Sequence, residues 1–317
     1  MIKNKKFLIL MKLTLGISLI QATPPAYEAL TENLPYSIYA KINFTKADGS
    51  IAEVGKYAFS ARKQILICSS IKLGEENKIF IYNSDNFSAP LQTINTGQTT
   101  SDLQISPLGD KILQNNEFGD LKIWRFNAEQ NQYTLCFNNE NHCIFASTKD
   151  LNTIATAKIS QNQTTLKIWL FNVHTSRYES HDTKTFDFIA SSLAVSPNKS
   201  ILISNTIKKE ITILITRENS YTAQTINYHD WLLFGFVMTD SKIAALNGAN
   251  NSIVIYNKNE ETNIFEHFLT VELEAFQINL RQIPLPILSI ENHDLIIKNG
   301  RTYLRYPGIL EDLVDCY

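Results

Sequence analysis

Residues that hold metals or carry out nucleophilic chemistry are scarce and badly spaced in this chain. The six histidines stand at 142, 174, 181, 229, 267 and 293, and no two form an HxxxH or HxH pair. The four cysteines, Cys68, Cys136, Cys143 and Cys316, include no pair at metal-ligand spacing that a second pair answers. No metal and no cofactor is therefore expected. A nucleophile elbow, a phosphate-binding loop and a Ser-x-Asp-x-Gly turn are all absent from the sequence. Glycine and proline are modest, at 11 and 9 of 317 residues, which excludes collagen-like and low-complexity classes.

Lysine and arginine do not cluster, and the formal charge is -2. Without residues 1–22, which carry four lysines and no acid, it becomes -6. An acidic chain with no basic face in its sequence lacks the footprint of a nucleic-acid binder. Long apolar runs are missing too, since the longest, Phe7 to Ile20, is broken by Lys12 and is too short to span a bilayer. Its setting is informative. Lys3, Lys5 and Lys6 precede it, and Ala22 with Thr23 and two prolines follows, which is the order of a secretory signal peptide. The expected organisation is a signal peptide over 1–22, a linker over 23–35 and one domain over 36–317. Export to the periplasm or the extracellular space follows from it, with no stable membrane insertion after cleavage.

Export bears on the cysteines. Cys136 and Cys143 are seven residues apart across a polar segment and would close a small disulfide loop in an oxidising compartment. Two half-buried thiols at strand ends fit the same spacing, because sequence does not fix the Cβ geometry. Cys68, in an apolar run, reads as core.

What the chain does have is a repeat. Short runs of β-branched and aromatic residues recur as KIFIY (78–82), LKIW (121–124), LKIW (166–169), ITIL (211–214) and IVIY (253–256), their last residues 42, 45, 45 and 42 apart. Such runs read as strands, and a fixed period of this length marks a repeat architecture. A second apolar strand lies upstream of each: 57–60, 103–107, 143–147, 193–197 and 234–238, with a sixth at 276–280. Several run into turn chemistry such as Ser106-Pro107-Leu108-Gly109-Asp110 and Ser196-Pro197-Asn198-Lys199.

Leu103 to Phe126 reads strand, Ser-Pro turn, strand, Gly-Asp turn, strand ending in Ile-Trp, and in this it resembles the WD40 repeat. Leu193 to Leu214 resembles it more weakly. The resemblance implies an all-β fold, a β-propeller of four-stranded antiparallel blades around a channel. Six upstream strands argue for six blades, at 56–97, 98–140, 141–185, 186–229, 230–273 and 274 onward. Seven result if both termini share a blade. Two strands over 36–44 and 50–54, joined at Asp48-Gly49, are expected to help close the ring against C-terminal strands. Arg125 and Leu170 stand where the family usually has Asp after Trp, and Gly-His pairs are missing before most repeats. Blades held mainly by apolar packing are therefore expected.

Function on such a scaffold sits in loops at one end of the blades. These are expected at 97–102, 138–142, 186–188 and 228–231 between blades, and at 73–77, 114–117, 160–163, 208–210 and 247–250 within them. Tyr228, His229 and Trp231 form one aromatic cluster there, a candidate binding site, although an aromatic packed under its own loop gives the same sequence pattern. Asp102, Asp110, Asp120 and Asp240 sit at turns and read as turn formers. The favoured function is a non-catalytic exported scaffold for a protein or peptide partner. A propeller hydrolase or lactonase acting on a sugar-derived substrate is the alternative.

Overall fold

A computed structural model describes residues 44–45, 51–52, 54–70, 77–83, 89–116, 118–140, 144–217, 220–228, 233–248, 252–272, 287–291, 294–299 and 302–306. Every regular element among them is a strand. A short pair opens the series, β1 (Phe44–Thr45) with β2 (Ile51–Ala52), in the register of the expected hairpin. The turn at 47–49, residues 1–43, the strand expected at 276–280 and the ring closure lie outside the described residues.

Five four-stranded antiparallel sheets follow in sequence order. The first is β3 (Val54–Ser60), β4 (Ile65–Ser70), β5 (Lys78–Asn83) and β6 (Gln92–Asn95). The second is β7 (Thr100–Ile105), β8 (Lys111–Asn116), β9 (Leu121–Asn127) and β10 (Gln132–Asn139). The third is β11 (Ile144–Ser147), β12 (Thr153–Ser160), β13 (Gln163–Asn172) and β14 (Arg177–Phe186). The fourth is β15 (Ser192–Val195), β16 (Ile201–Asn205), β17 (Glu210–Arg217) and β18 (Ser220–Asn227). The fifth is β19 (Leu233–Met238), β20 (Lys242–Asn247), β21 (Ser252–Lys258) and β22 (Phe265–Glu272). A three-stranded sheet, β23 (Ile287–Glu291), β24 (Asp294–Asn299) and β25 (Thr302–Tyr306), ends the series. These sheets are the blades of a β-propeller with WD40-like repeats, and the IW-type runs are their third strands.

Within a blade, burial grades from centre to edge. Second strands such as β16 (ILISN) and β20 (KIAALN) are buried along their whole length on both faces. Fourth strands alternate, as β14 does with Tyr178 buried between exposed Arg177 and Glu179. Alternating polar side chains on an outer strand discourage pairing with another chain. Bulges reinforce this in β14 and β22, where His181 and Phe268 have no opposite residue in the register.

The turn between first and second strands is built the same way four times. A Ser or Thr hydroxyl accepts a backbone N–H three to five residues on: Ser106 from Lys111 (3.1 Å), Thr148 from Thr153 (3.0 Å), Ser196 from Ser200 (3.1 Å) and Thr239 from Lys242 (2.8 Å). Three of these turns need a left-handed residue, supplied by Gly109 (φ 64), Leu151 (φ 57) and Lys199 (φ 70). Gly109 has a second reason. A Cβ there would lie 2.7 Å from the Lys63 Cβ, next to where the Ser60 hydroxyl donates to the Pro107 carbonyl at 2.8 Å. The outer hairpins use asparagine instead: Asn127, Asn172 and Asn259 each accept two backbone N–H groups with their side-chain oxygen.

The described residues separate into two compact units, those up to 116 with 125–134, and those over 118–124 with 135 onward. Both contain the same seam between outer strands. In the first unit, Gln92 on β6 donates from Nε2 to the Tyr133 carbonyl (2.9 Å) and accepts the Tyr133 N–H (2.7 Å). In the second, Gln224 on β18 does the same to Phe265, at 3.1 Å each way. Phe137 on β10 occupies the matching place against Tyr178, with ring centroids 5.0 Å apart. Beside the apolar packing expected to hold the blades in the main, two of these three seams are amide-to-backbone clamps.

Candidate functional site

The loop end of the third and fourth blades carries the best-defined surface feature, the turn that joins β16 to β17. Asn205 begins it and is buried, its Oδ1 accepting the N–H groups of Ile207 (3.1 Å) and Lys208 (3.0 Å). Thr206 is tied sideways to Ser191, by its N–H at 3.1 Å and its hydroxyl at 2.6 Å. Ser191 in turn donates to the Ser204 carbonyl at 3.1 Å. Lys209 completes the turn in the left-handed region, φ 55. A tip fixed at so many points holds its outward residue in one place. That residue is Ile207, 78% exposed, the largest value among the exposed large apolar residues described.

A second layer stands beside it. Phe186 and Phe188 pack with centroids 5.1 Å apart, and the Phe188 carbonyl accepts the Thr164 hydroxyl at 2.6 Å. Lys208 reaches over this layer, with Nζ 5.9 Å from the Phe188 ring and 3.5 Å from the Asp187 carbonyl. The Asp187 carboxylate accepts the Gln163 amide at 2.8 Å. The result is an apolar tip and a half-buried aromatic pair, with the Lys208 ammonium group over the Phe188 ring.

The sequence candidates fall partly on this feature. Tyr228 is buried, and its hydroxyl donates to the Asn205 carbonyl at 3.4 Å while its N–H donates to the Lys209 carbonyl at 3.0 Å. It braces the Ile207 turn from beneath. Burial is the main reason its hydroxyl is pushed up to about 12, and the Glu210 charge adds to the effect. His229 and Trp231 lie outside the described residues. Sequence reasoning passed over Ile207 itself. The signal for it was a lone apolar residue inside the polar turn Asn205-Thr206-Ile207-Lys208-Lys209.

Asp102 and Asp110 have local partners, as turn formers do, whereas Asp240 reaches the turn of the preceding repeat. Asp102 accepts the Leu103 N–H (2.9 Å), Asp110 the Ser106 hydroxyl (2.6 Å) and Asp240 the Asn198 N–H (2.9 Å). Among the described residues no three His, Cys, Asp or Glu side chains are grouped as a metal would need. Cys136 is half-buried, its sulfur 3.4 Å from the Ile123 carbonyl, and Cys143 lies outside the described residues. Cys68 is buried as expected, and burial pushes its thiol up to about 12.

No family model and no curated protein matches the sequence. Solved structures do match. A protein from Lactobacillus plantarum aligns over 84% of each chain at 14% identity, with a TM-score of 0.55. The β-propeller domain of Cps50 (Swd1) from Myceliophteria thermophila aligns over 81% of this chain and 83% of its own at 8% identity, TM-score 0.51. Sqt1 from Chaetomium thermophilum, bound to the N-terminus of the ribosomal protein L10, aligns over 78% of this chain and 69% of its own at 13% identity, TM-score 0.52. At such identities the likeness concerns the fold.

Proposed function

We propose that this β-propeller of WD40-like repeats is an exported, non-catalytic scaffold that holds a protein or peptide partner at the loop end of its blades. The observation that carries the reading is Ile207, an apolar side chain 78% exposed on a turn locked by Asn205, Thr206 and Ser191. Exposing an apolar group is unfavourable in water, and rigid presentation lowers the entropy lost when a partner covers it. The fold of Sqt1, which holds the N-terminus of a ribosomal protein, supports a peptide as the kind of object bound. Export rests on the basic, apolar and small-residue order of residues 1–22.

A photo-crosslinking residue placed at 207 tests the binding reading in the producing cells, with the same residue at Val173 as control. Val173 is 66% exposed on an outer-hairpin turn. A discrete crosslinked protein at 207 and none at 173 is expected. No product at 207, or the same products from both positions, contradicts a specific partner at this end. An intact mass showing residues 1–22 retained on protein recovered from the cytosol contradicts export.

A further inference from the structure

We infer that the backbone of Tyr221, on the outer strand of the fourth blade, is a docking site for a side-chain carboxamide, carried by a glutamine in an extended segment of another protein. The site is separate from the Ile207 turn and lies at the other end of β17. The molecule itself shows the chemistry that completes this position. At two other seams a glutamine on the preceding outer strand bonds both backbone groups of one residue, Gln92 those of Tyr133 and Gln224 those of Phe265. Phe265 lies opposite Lys258, two residues beyond Tyr256, and Tyr221 lies opposite Thr216, two residues beyond Leu214. The two therefore hold the same place in their blades. Their orientation matches as well. The Tyr228 N–H donates to the Lys209 carbonyl, and hydrogen-bonded pairs alternate along an antiparallel ladder. On that alternation Thr216 and Tyr221 are not a bonded pair, so Tyr221 turns its N–H and carbonyl away from β17.

The preceding strand does not supply the amide here. Gln92 lies opposite Ile81 and Gln224 opposite Ile213, whereas the counterpart opposite Ile168 is Asp182, next to the bulge at His181. A carboxylate has no hydrogen to donate to a carbonyl. Asp182 instead accepts the Thr183 N–H at 2.7 Å and pairs with Lys184 at 3.4 Å. His181 and Lys184 approach the Tyr221 ring, with the imidazole centroid at 6.4 Å and Nζ at 5.9 Å. Among the described residues no group from the preceding blade bonds the Tyr221 N–H or carbonyl. Tyr133, Tyr178 and Phe265 are buried, while Tyr221 is half-buried and within reach of a partner. A carboxamide presents an acceptor and a donor side by side, which is what the matching backbone groups take at Tyr133 and Phe265.

The test uses three end-blocked peptides that share one strand-forming sequence of alternating threonine and valine and differ at a central residue, which is glutamine, glutamate or methionine. Their binding to the nitrogen-15-labelled protein is read from the amide resonance of residue 221. The glutamine peptide should move that resonance to saturation and bind about tenfold more tightly than the other two, the size expected of two neutral hydrogen bonds. Asp182→Gln, which places the glutamine of the other seams in the chain itself, should shift the resonance without peptide and weaken the peptide about tenfold. Asp182→Asn removes the same charge with an amide one methylene shorter and should leave binding unchanged. Circular dichroism confirms that both variants fold. Equal binding of the three peptides overturns the carboxamide in favour of backbone strand addition. A resonance that none of them moves overturns the site, as do equal losses in Asp182→Gln and Asp182→Asn or no loss in either.

Discussion

The seam at Tyr133 and the seam at Tyr178 occupy matching places in successive repeats and are made of different chemistry. At Tyr133 the grip is an amide, Gln92, bonded twice to the backbone 41 residues on. At Tyr178 it is a ring, Phe137, also 41 residues back, which packs at 5.0 Å and touches Trp169 at 5.1 Å as well. Gln224 repeats the amide solution at Phe265. An outer strand therefore needs something of the right reach at this point, and either hydrogen bonding or apolar burial serves.

The largest loss is expected where apolar volume carries the contact. Phe137→Ala should destabilise by about 3 to 5 kcal/mol in urea melts, as should Trp124→Ala, which removes a side chain only 5% exposed. Gln92→Ala should cost about 1 to 3 kcal/mol, because it leaves the Tyr133 N–H and carbonyl without their partner. Gln224→Leu is the sharper probe: it keeps the volume and removes both bonds, and stability equal to wild type would show that both seams work by packing. Gly109→Ala, strained by φ 64 and the approach of Lys63, should lose about 1 kcal/mol or more. The smallest effect has the opposite sign, Lys199→Gly gaining roughly 0.5 to 1 kcal/mol by relieving a left-handed lysine.

A pH dependence accompanies the seams. Burial, with the Asp110 charge second, raises the Tyr133 hydroxyl above its ordinary value, and Tyr228 is raised to about 12. Groups raised in the folded state favour folding below their unfolded value near 10 and lose that contribution as pH climbs through the folded value. Stability should fall above about pH 10, and ultraviolet titration should show these tyrosines ionising only as the fold opens.

The strands were readable because burial on both faces demands unbroken apolar runs, as in Ile201 to Ile203 and Ile253 to Ile255. The asparagine turns carry no sequence signal for a physical reason. Asn127, Asn172 and Asn259 fix turns by bonds to the N–H groups that follow, so any residues fit between them and no shared motif marks the role. The seams were illegible because Gln and Phe share reach but no pattern. Tyr228 proves to brace the Ile207 turn from beneath, and periodicity does not tell an aromatic beneath a loop from one on its surface.

On the proposed reading, scaffold and binding surface are separate sets of residues. A paired measurement on Ile207→Asp, a urea melt together with capture of the partner crosslinked at 207, tests it most directly. Stability within about 0.5 kcal/mol of wild type and loss of capture are expected. Full capture by the stable variant, or loss of capture only in step with unfolding, would contradict it.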